Sequence, residues 1–365
     1  MNLSVRNDTA PQVDRLADSE FVELENAALP PVSSHMEKIG AAVAGCFAAL
    51  FGAVSASCTT IRAPSNPREP LPLTEELKER FSIQLIEGVE LKPPKSYASY
   101  EKHRGKITIE GEQLKFEYYL PKDDIAEHPF VLVIPILGGG EGITDLICRW
   151  YARRGTAAGT LDRNWSVFRD HETVPQLEEN FVQCVREQRA FLNWVADRPG
   201  IDGERLEVFG VSLGGMFGAL LGAVEPRIDC EILCICGGDL ETLVFKTEEE
   251  RASKWVTERL EKDGITAAEL RRQIAELVSS DPVELAKYID TDKVMFVTAR
   301  FDGVVPRHNS DVLWKAMGKP ERKMVPTGHY TAILALPYIL SEASQFAEQR
   351  FAIEVGEQGP ISGKP

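Results

Sequence analysis

Ser212 stands in Gly210-Val211-Ser212-Leu213-Gly214, between the apolar run Leu206 to Phe209 and the small-residue stretch Leu213 to Val224. That order reads as strand, tight turn, helix. A serine on such a turn has its hydroxyl pushed clear of the sheet. Bulk two residues to either side would clash, and Gly210 and Gly214 occupy those positions. The turn also aims the hydroxyl at a helix N-terminus, where backbone N–H groups favour negative charge. The chemistry this suits is nucleophilic attack with charge building on an oxygen. A serine hydroxyl needs a base to take its proton, and the chain has six histidines: His35, His103, His128, His171, His308 and His329.

Other chemistries fit less well. Seven cysteines are present with no CxxC pair, so a zinc ribbon or thioredoxin-like site is not expected. Cys230, Cys234 and Cys236 alternate in an apolar run and read as core residues on one face of a strand. A disulfide framework is not expected in a domain of this size. Leu137-Gly138-Gly139-Gly140-Glu141-Gly142 is glycine-rich, yet no Gly-Lys-Ser/Thr follows to make it a phosphate loop. No metal constellation is visible, and no cofactor is expected. The net charge is -15 with no basic run, which argues against a nucleic-acid partner.

These residues need a scaffold, and the pattern supplies one. Lys106 to Glu110 and Leu114 to Leu120 alternate around Gly111 like a hairpin. Phe130 to Leu137 is continuously apolar, as a strand covered on both faces should be. A helix is expected from the glycine loop to Trp150, then a short strand from Thr156 to Leu161. Pro175 to Asp197 has helical periodicity. Further strands are expected at Leu206 to Phe209, Ile228 to Cys236, Val294 to Thr298 and Arg322 to Val325, with a closing helix from Thr331 to Phe351. Strands alternating with helices imply a mostly parallel sheet wrapped on both faces.

The strand, G-x-S-x-G and helix at 206–224 resemble the α/β-hydrolase superfamily. The resemblance implies that fold: a mostly parallel central sheet flanked by helices, with a helical lid insertion. It also implies the chain order serine, acid, histidine. His329, in Pro326-Thr327-Gly328-His329-Tyr330 after the last strand, matches the base. Asp302, in Asp302-Gly303-Val304-Val305-Pro306, matches the acid, with Asp239 after the preceding strand as its rival. The oxyanion hole falls to the N–H of Leu213 and a second donor, Gly139 or Gly138. The usual loop there reads His-Gly-x-Gly, and this chain has Leu137 in place of that histidine. The implied reaction is acyl transfer to Ser212, with carboxylic ester hydrolysis as the leading outcome. A peptidase or acyltransferase with the same triad, or a binding protein of the same fold, are the alternatives. The charged, helical stretch 240–290 lies where relatives insert a lid, and its apolar anchors Leu243, Phe245, Trp255, Leu260 and Leu277 could face the pocket or hold the helices down, with the second as the leading reading.

The front of the chain reads separately, as a leader over 1–58, a tether over 59–72, the catalytic domain over 73–355 and a flexible tail over 356–365. Lys38, the uncharged run Ile39 to Val54, then Ser55-Ala56-Ser57-Cys58 follow the order of an export signal. The small residues before Cys58 resemble a bacterial lipobox, with Ser55 where leucine is usual. Cys58 is therefore the candidate lipidation site, and Met36 a candidate start. An ordinary signal, an uncleaved anchor or a buried helix are the other readings. All but the buried helix place the domain in the cell envelope, periplasmic after an ordinary cleaved signal or attached to the membrane through the N-terminus by a lipid or an anchor, and the buried helix leaves it cytoplasmic. Thr59 to Pro72, rich in proline and polar residues, is expected to be an extended tether.

Overall fold

The computed structural model describes residues 57–137, 139, 141–163 and 167–357. The run 39–54, Gly138 and residues 358–365 lie outside the described residues. One ten-stranded sheet runs in the order β1-β10-β9-β8-β7-β5-β6-β4-β3-β2. Its parallel part is β5 (His128–Ile134), β6 (Ala157–Leu161), β7 (Ile201–Val211), β8 (Ile228–Cys234), β9 (Val294–Ala299) and β10 (Glu321–Val325). An antiparallel meander, β2 (Ile86–Ser96), β3 (Tyr100–Ile109) and β4 (Glu112–Pro121), extends one side. Its expected hairpin turns at Glu110 and Gly111, both at positive φ.

Helices cover both faces. The described ones are α1 (Glu75–Arg80), α2 (Glu141–Ala152), α3 (Val174–Ala196), α4 (Leu213–Val224), α5 (Leu240–Lys246), α6 (Glu250–Lys262), α7 (Ala267–Leu277), α8 (Pro282–Leu285), α9 (Arg307–Ala316) and α10 (Leu336–Glu357). Alternate strand residues feed two cores. Phe130, Leu132, Leu206, Val208 and Phe296 pack with α3 and α4. Val131, Val133, Phe209, Ile232 and Met295 pack with α2 and α10. Two buried faces are why these strands read as unbroken apolar runs.

Three expectations change. The segment read as a tether is docked: Thr59–Ile61 forms β1, antiparallel to β10, and Arg68 and the Leu71 N–H bond to the carbonyls of Ala286 and Lys287. The β8 strand ends at Cys234, because Ile235 takes a positive φ of 44°. That turn sends Cys236 into the α4 core, while Cys230 and Cys234 stay on the α2 and α10 side. The closing helix α10 runs to Glu357, two residues past the expected end of the domain at 355. Among the described residues, no helix is long and apolar enough to cross a membrane.

Candidate active site

The β7 strand delivers Ser212 to the carboxyl end of the sheet. Its ladder continues one step past the strand, with the Ser212 N–H donating to the Cys234 carbonyl at 2.9 Å. Ser212 itself sits at φ 57° and ψ -121°, outside the comfortable regions for a side-chain-bearing residue. The turn is tight enough that a Cβ on Gly210 would lie 2.3 Å from the Gly214 carbonyl oxygen. A Cβ on Gly214 would lie 2.3 Å from that of Ile134. Ser212 is the N-cap of α4 but makes no side-chain cap, so its hydroxyl is not spent on the helix. Leu213 is the first residue of that helix, where N–H groups lack intrahelical acceptors.

Asp302 and His329 arrive on the loops after β9 and β10. Those loops are stitched together as the strands are: the N–H of Arg300 donates to Val325 O and that of Phe301 to Thr327 O, each at 2.9 Å. Gly328 then passes close to the Phe301 carbonyl, and its N–H donates to Thr331 Oγ1 at 2.8 Å. Asp302 Oδ1 accepts from the N–H groups of Val304 and Val305 at 2.9 and 2.8 Å, which fixes the carboxylate. His329 Nδ1 lies 3.0 and 2.9 Å from the two Asp302 oxygens, and its Nε2 lies 3.0 Å from Ser212 Oγ. The Asp302 side chain is nearly enclosed and that of His329 is partly buried.

The structure thus brings Ser212, His329 and Asp302 into one hydrogen-bonded line. It does not bring Asp239 there. Asp239 caps α5 in the left-handed region, and its carboxylate lies 3.5 Å from His308 Nε2. On the oxyanion side, Gly139 has a positive φ of 72°, and its N–H donates to the Ile136 carbonyl at 3.2 Å. In this conformation Gly139 is therefore not an open donor, contrary to expectation, because the turn uses it to close on itself.

An apolar cavity of about 280 Å³ opens beside Ser212 and His329. Phe209, Val211 and Cys234 form its sheet wall, Ile143 of α2 another, and Leu336 and Ile339 of α10 its far side. Glu249 and Arg251, at the start of α6, stand at the rim. The α10 contribution was not legible in the sequence, where Leu336 and Ile339 look like any helix core. The five anchors read in 240–290 do not line the cavity. Trp255 is buried, with Nε1 donating to Glu172 O at 2.7 Å, and Leu243 packs on Val304 and Val305. Leu277 departs from that reading, being exposed. The insertion is tied to the Asp302 loop by Thr247 Oγ1 donating to Val304 O at 2.6 Å and the Glu248 N–H to Gly303 O at 2.9 Å.

Arg163 is a further residue the sequence reading missed. Its guanidinium donates to the carbonyls of Pro135 and Ile136 at 3.2 and 2.6 Å, bracing the loop that leads out of β5 beside the serine. Among the described residues no cluster of His, Cys, Asp and Glu is placed to hold a metal ion.

No family model matches the chain. It is 26% identical over 97 residues to the uncharacterised protein YdjC of Bacillus subtilis (strain 168), a match spanning 27% of this chain and 81% of that one. Its structure is similar to acetyl xylan esterase 1 from Thermoanaerobacterium sp. JW/SL YS485, with a TM-score of 0.60 and 18% identity, over 77% of this chain and 99% of that one. It is also similar to the acetyl xylan esterase from Paenibacillus sp. R4, with a TM-score of 0.58 and 15% identity, over 75% and 96%. Taken with the strand order and the turn at Ser212, these likenesses give the chain its architecture: it has the α/β-hydrolase fold.

Proposed function

We propose that this protein is a serine ester hydrolase. His329 Nε2 accepts the Ser212 proton as Oγ bonds to the acyl carbon, while Nδ1–H stays on Asp302. The carbonyl pair moves onto oxygen, and the Leu213 N–H meets that charge at the mouth of α4. The Gly139 N–H is bonded to the Ile136 carbonyl in this conformation and would have to be released from it to serve as the second donor. Collapse of the adduct breaks the ester C–O bond, and His329 returns the proton to the leaving alcohol. Water then repeats the sequence on the acyl-enzyme: His329 takes its proton, the acid leaves, and Ser212 Oγ–H is restored.

The observation that carries this reading is the line Ser212 Oγ to His329 Nε2 at 3.0 Å and His329 Nδ1 to Asp302 at 2.9 Å, opening on an apolar cavity. The cavity supports an acyl group as its occupant, since it offers few polar partners. Two of the structural neighbours are named as acetyl xylan esterases, which supports ester over amide. The test is turnover of soluble p-nitrophenyl esters against matched p-nitroanilides. Esters should be cleaved and anilides not, and Ser212→Ala should lose at least about 10³-fold in kcat. Anilide cleavage without ester cleavage overturns the choice of substrate.

A further inference from the structure

Exposed apolar side chains are found on the loops beside the cavity. Twelve large apolar side chains are exposed, and four of them crowd the His329 and Asp302 loops: Phe301 at 68%, Tyr330 at 74%, Ile333 at 45% and Leu334 at 50%. Their two loops run side by side, with the Phe301 N–H bonded to Thr327 O and Gly328 close to the Phe301 carbonyl. Tyr330 and Ile333 also line the cavity, so on this side the exposed apolar residues lead into it, while Glu249 and Arg251 stand at the rim as well. An apolar patch that rims a pocket marks a contact surface.

The path of the chain says what meets that surface. Thr59 of β1 pairs with Met324, at the end of β10 that runs into the His329 loop. Cys58 is half-buried beside Tyr338 of α10, in the core that the far wall of the cavity shares. The chain therefore enters the fold at the mouth end of the sheet. Directly ahead of that point in the sequence stands the uncharged run Ile39 to Val54.

We infer that the collar of Phe301, Tyr330, Ile333 and Leu334 seats the mouth of the active site on a lipid surface, and that acyl chains enter the cavity from that surface. This rests on the ester-hydrolase reading of Ser212. The net charge of -15 makes anionic headgroups poor partners, so the contact is apolar and its bilayer zwitterionic.

Phe301 and Leu334 are the residues to change, because neither lines the cavity. The full chain is assayed on a soluble short-chain p-nitrophenyl ester and on p-nitrophenyl palmitate carried in phosphatidylcholine vesicles. Phe301→Ser with Leu334→Ser should cut turnover of the vesicle-borne ester at least about tenfold and leave the soluble ester within about twofold. The conservative pair Phe301→Leu with Leu334→Met should retain both, and the contrast should persist at high salt. An unchanged ratio between the two substrates in the serine pair overturns the inference. So does a wild-type dimer that the serine pair dissociates, which would make a second copy the occupant. Faster soluble-ester turnover in the serine pair without lipid also overturns it, because the chain's own leader would then be the cover. No turnover of either ester by the wild type sinks the hydrolase reading instead.

Discussion

At the scale of single residues, the site is organised by backbone geometry more than by side-chain chemistry. Ser212 is held at a positive φ that most residues avoid, and Gly210 and Gly214 are required because carbonyl oxygens occupy the space of any Cβ. Asp302 is fixed by two amides of its own loop before it meets His329, so the imidazole is oriented by a carboxylate that cannot swing. Asp239 has none of this and faces His308 instead. Asp302→Asn should therefore lower kcat by about 10³–10⁴-fold with little change in KM, through loss of the correct tautomer. Asp239→Asn should stay within about threefold, as expected of a residue outside the relay. Steady-state kinetics on one soluble ester decides between them, and a larger loss in the Asp239 variant would reverse the assignment.

At the scale of elements, the nucleophile turn rests on how α4 packs against β8. Gly222 of α4 leaves room for the Glu231 carboxyl of β8, which a Cβ there would overlap. Glu231 is fully enclosed with one oxygen unpartnered, and burial pushes its carboxyl up from 4.5 to about 8. The folded state thus binds a proton that the unfolded chain releases above about 4.5. Its stabilising effect is complete below that pH and is lost as pH rises through 8. Glu231→Gln keeps the shape and removes the titration. Between pH 5 and 8 the wild type should lose stability relative to this variant by about 1 kcal/mol per unit, read as a Tm gap of a few degrees that widens with pH. A gap of constant size would contradict it. Glu207 of β7, also raised to about 8 by burial and accepting from Tyr151 at 2.5 Å, adds a slope of the same sign in both proteins.

At the scale of the whole molecule, the sequence showed the parallel half of the sheet because two buried faces write continuous apolar runs. It did not show β2, where Pro93 and Pro94 interrupt the strand pattern and are accommodated at a register shift on an exposed edge. Nor did it show β1, since three exposed residues carry no periodicity. The partners of Ser212 were legible because each stands in a loop directly after a strand. The cavity wall was not, because Ile143, Leu336 and Ile339 meet only through the packing of α2 and α10 over the sheet. What all these layers converge on is one hydroxyl. Treatment of the full chain with a fluorophosphonate probe, followed by peptide mass spectrometry, tests it most directly. A single adduct on the peptide that contains Ser212, absent from Ser212→Ala, is the expected result. An adduct elsewhere, or none on a folded chain that turns over esters, would contradict the assignment of Ser212 as the nucleophile.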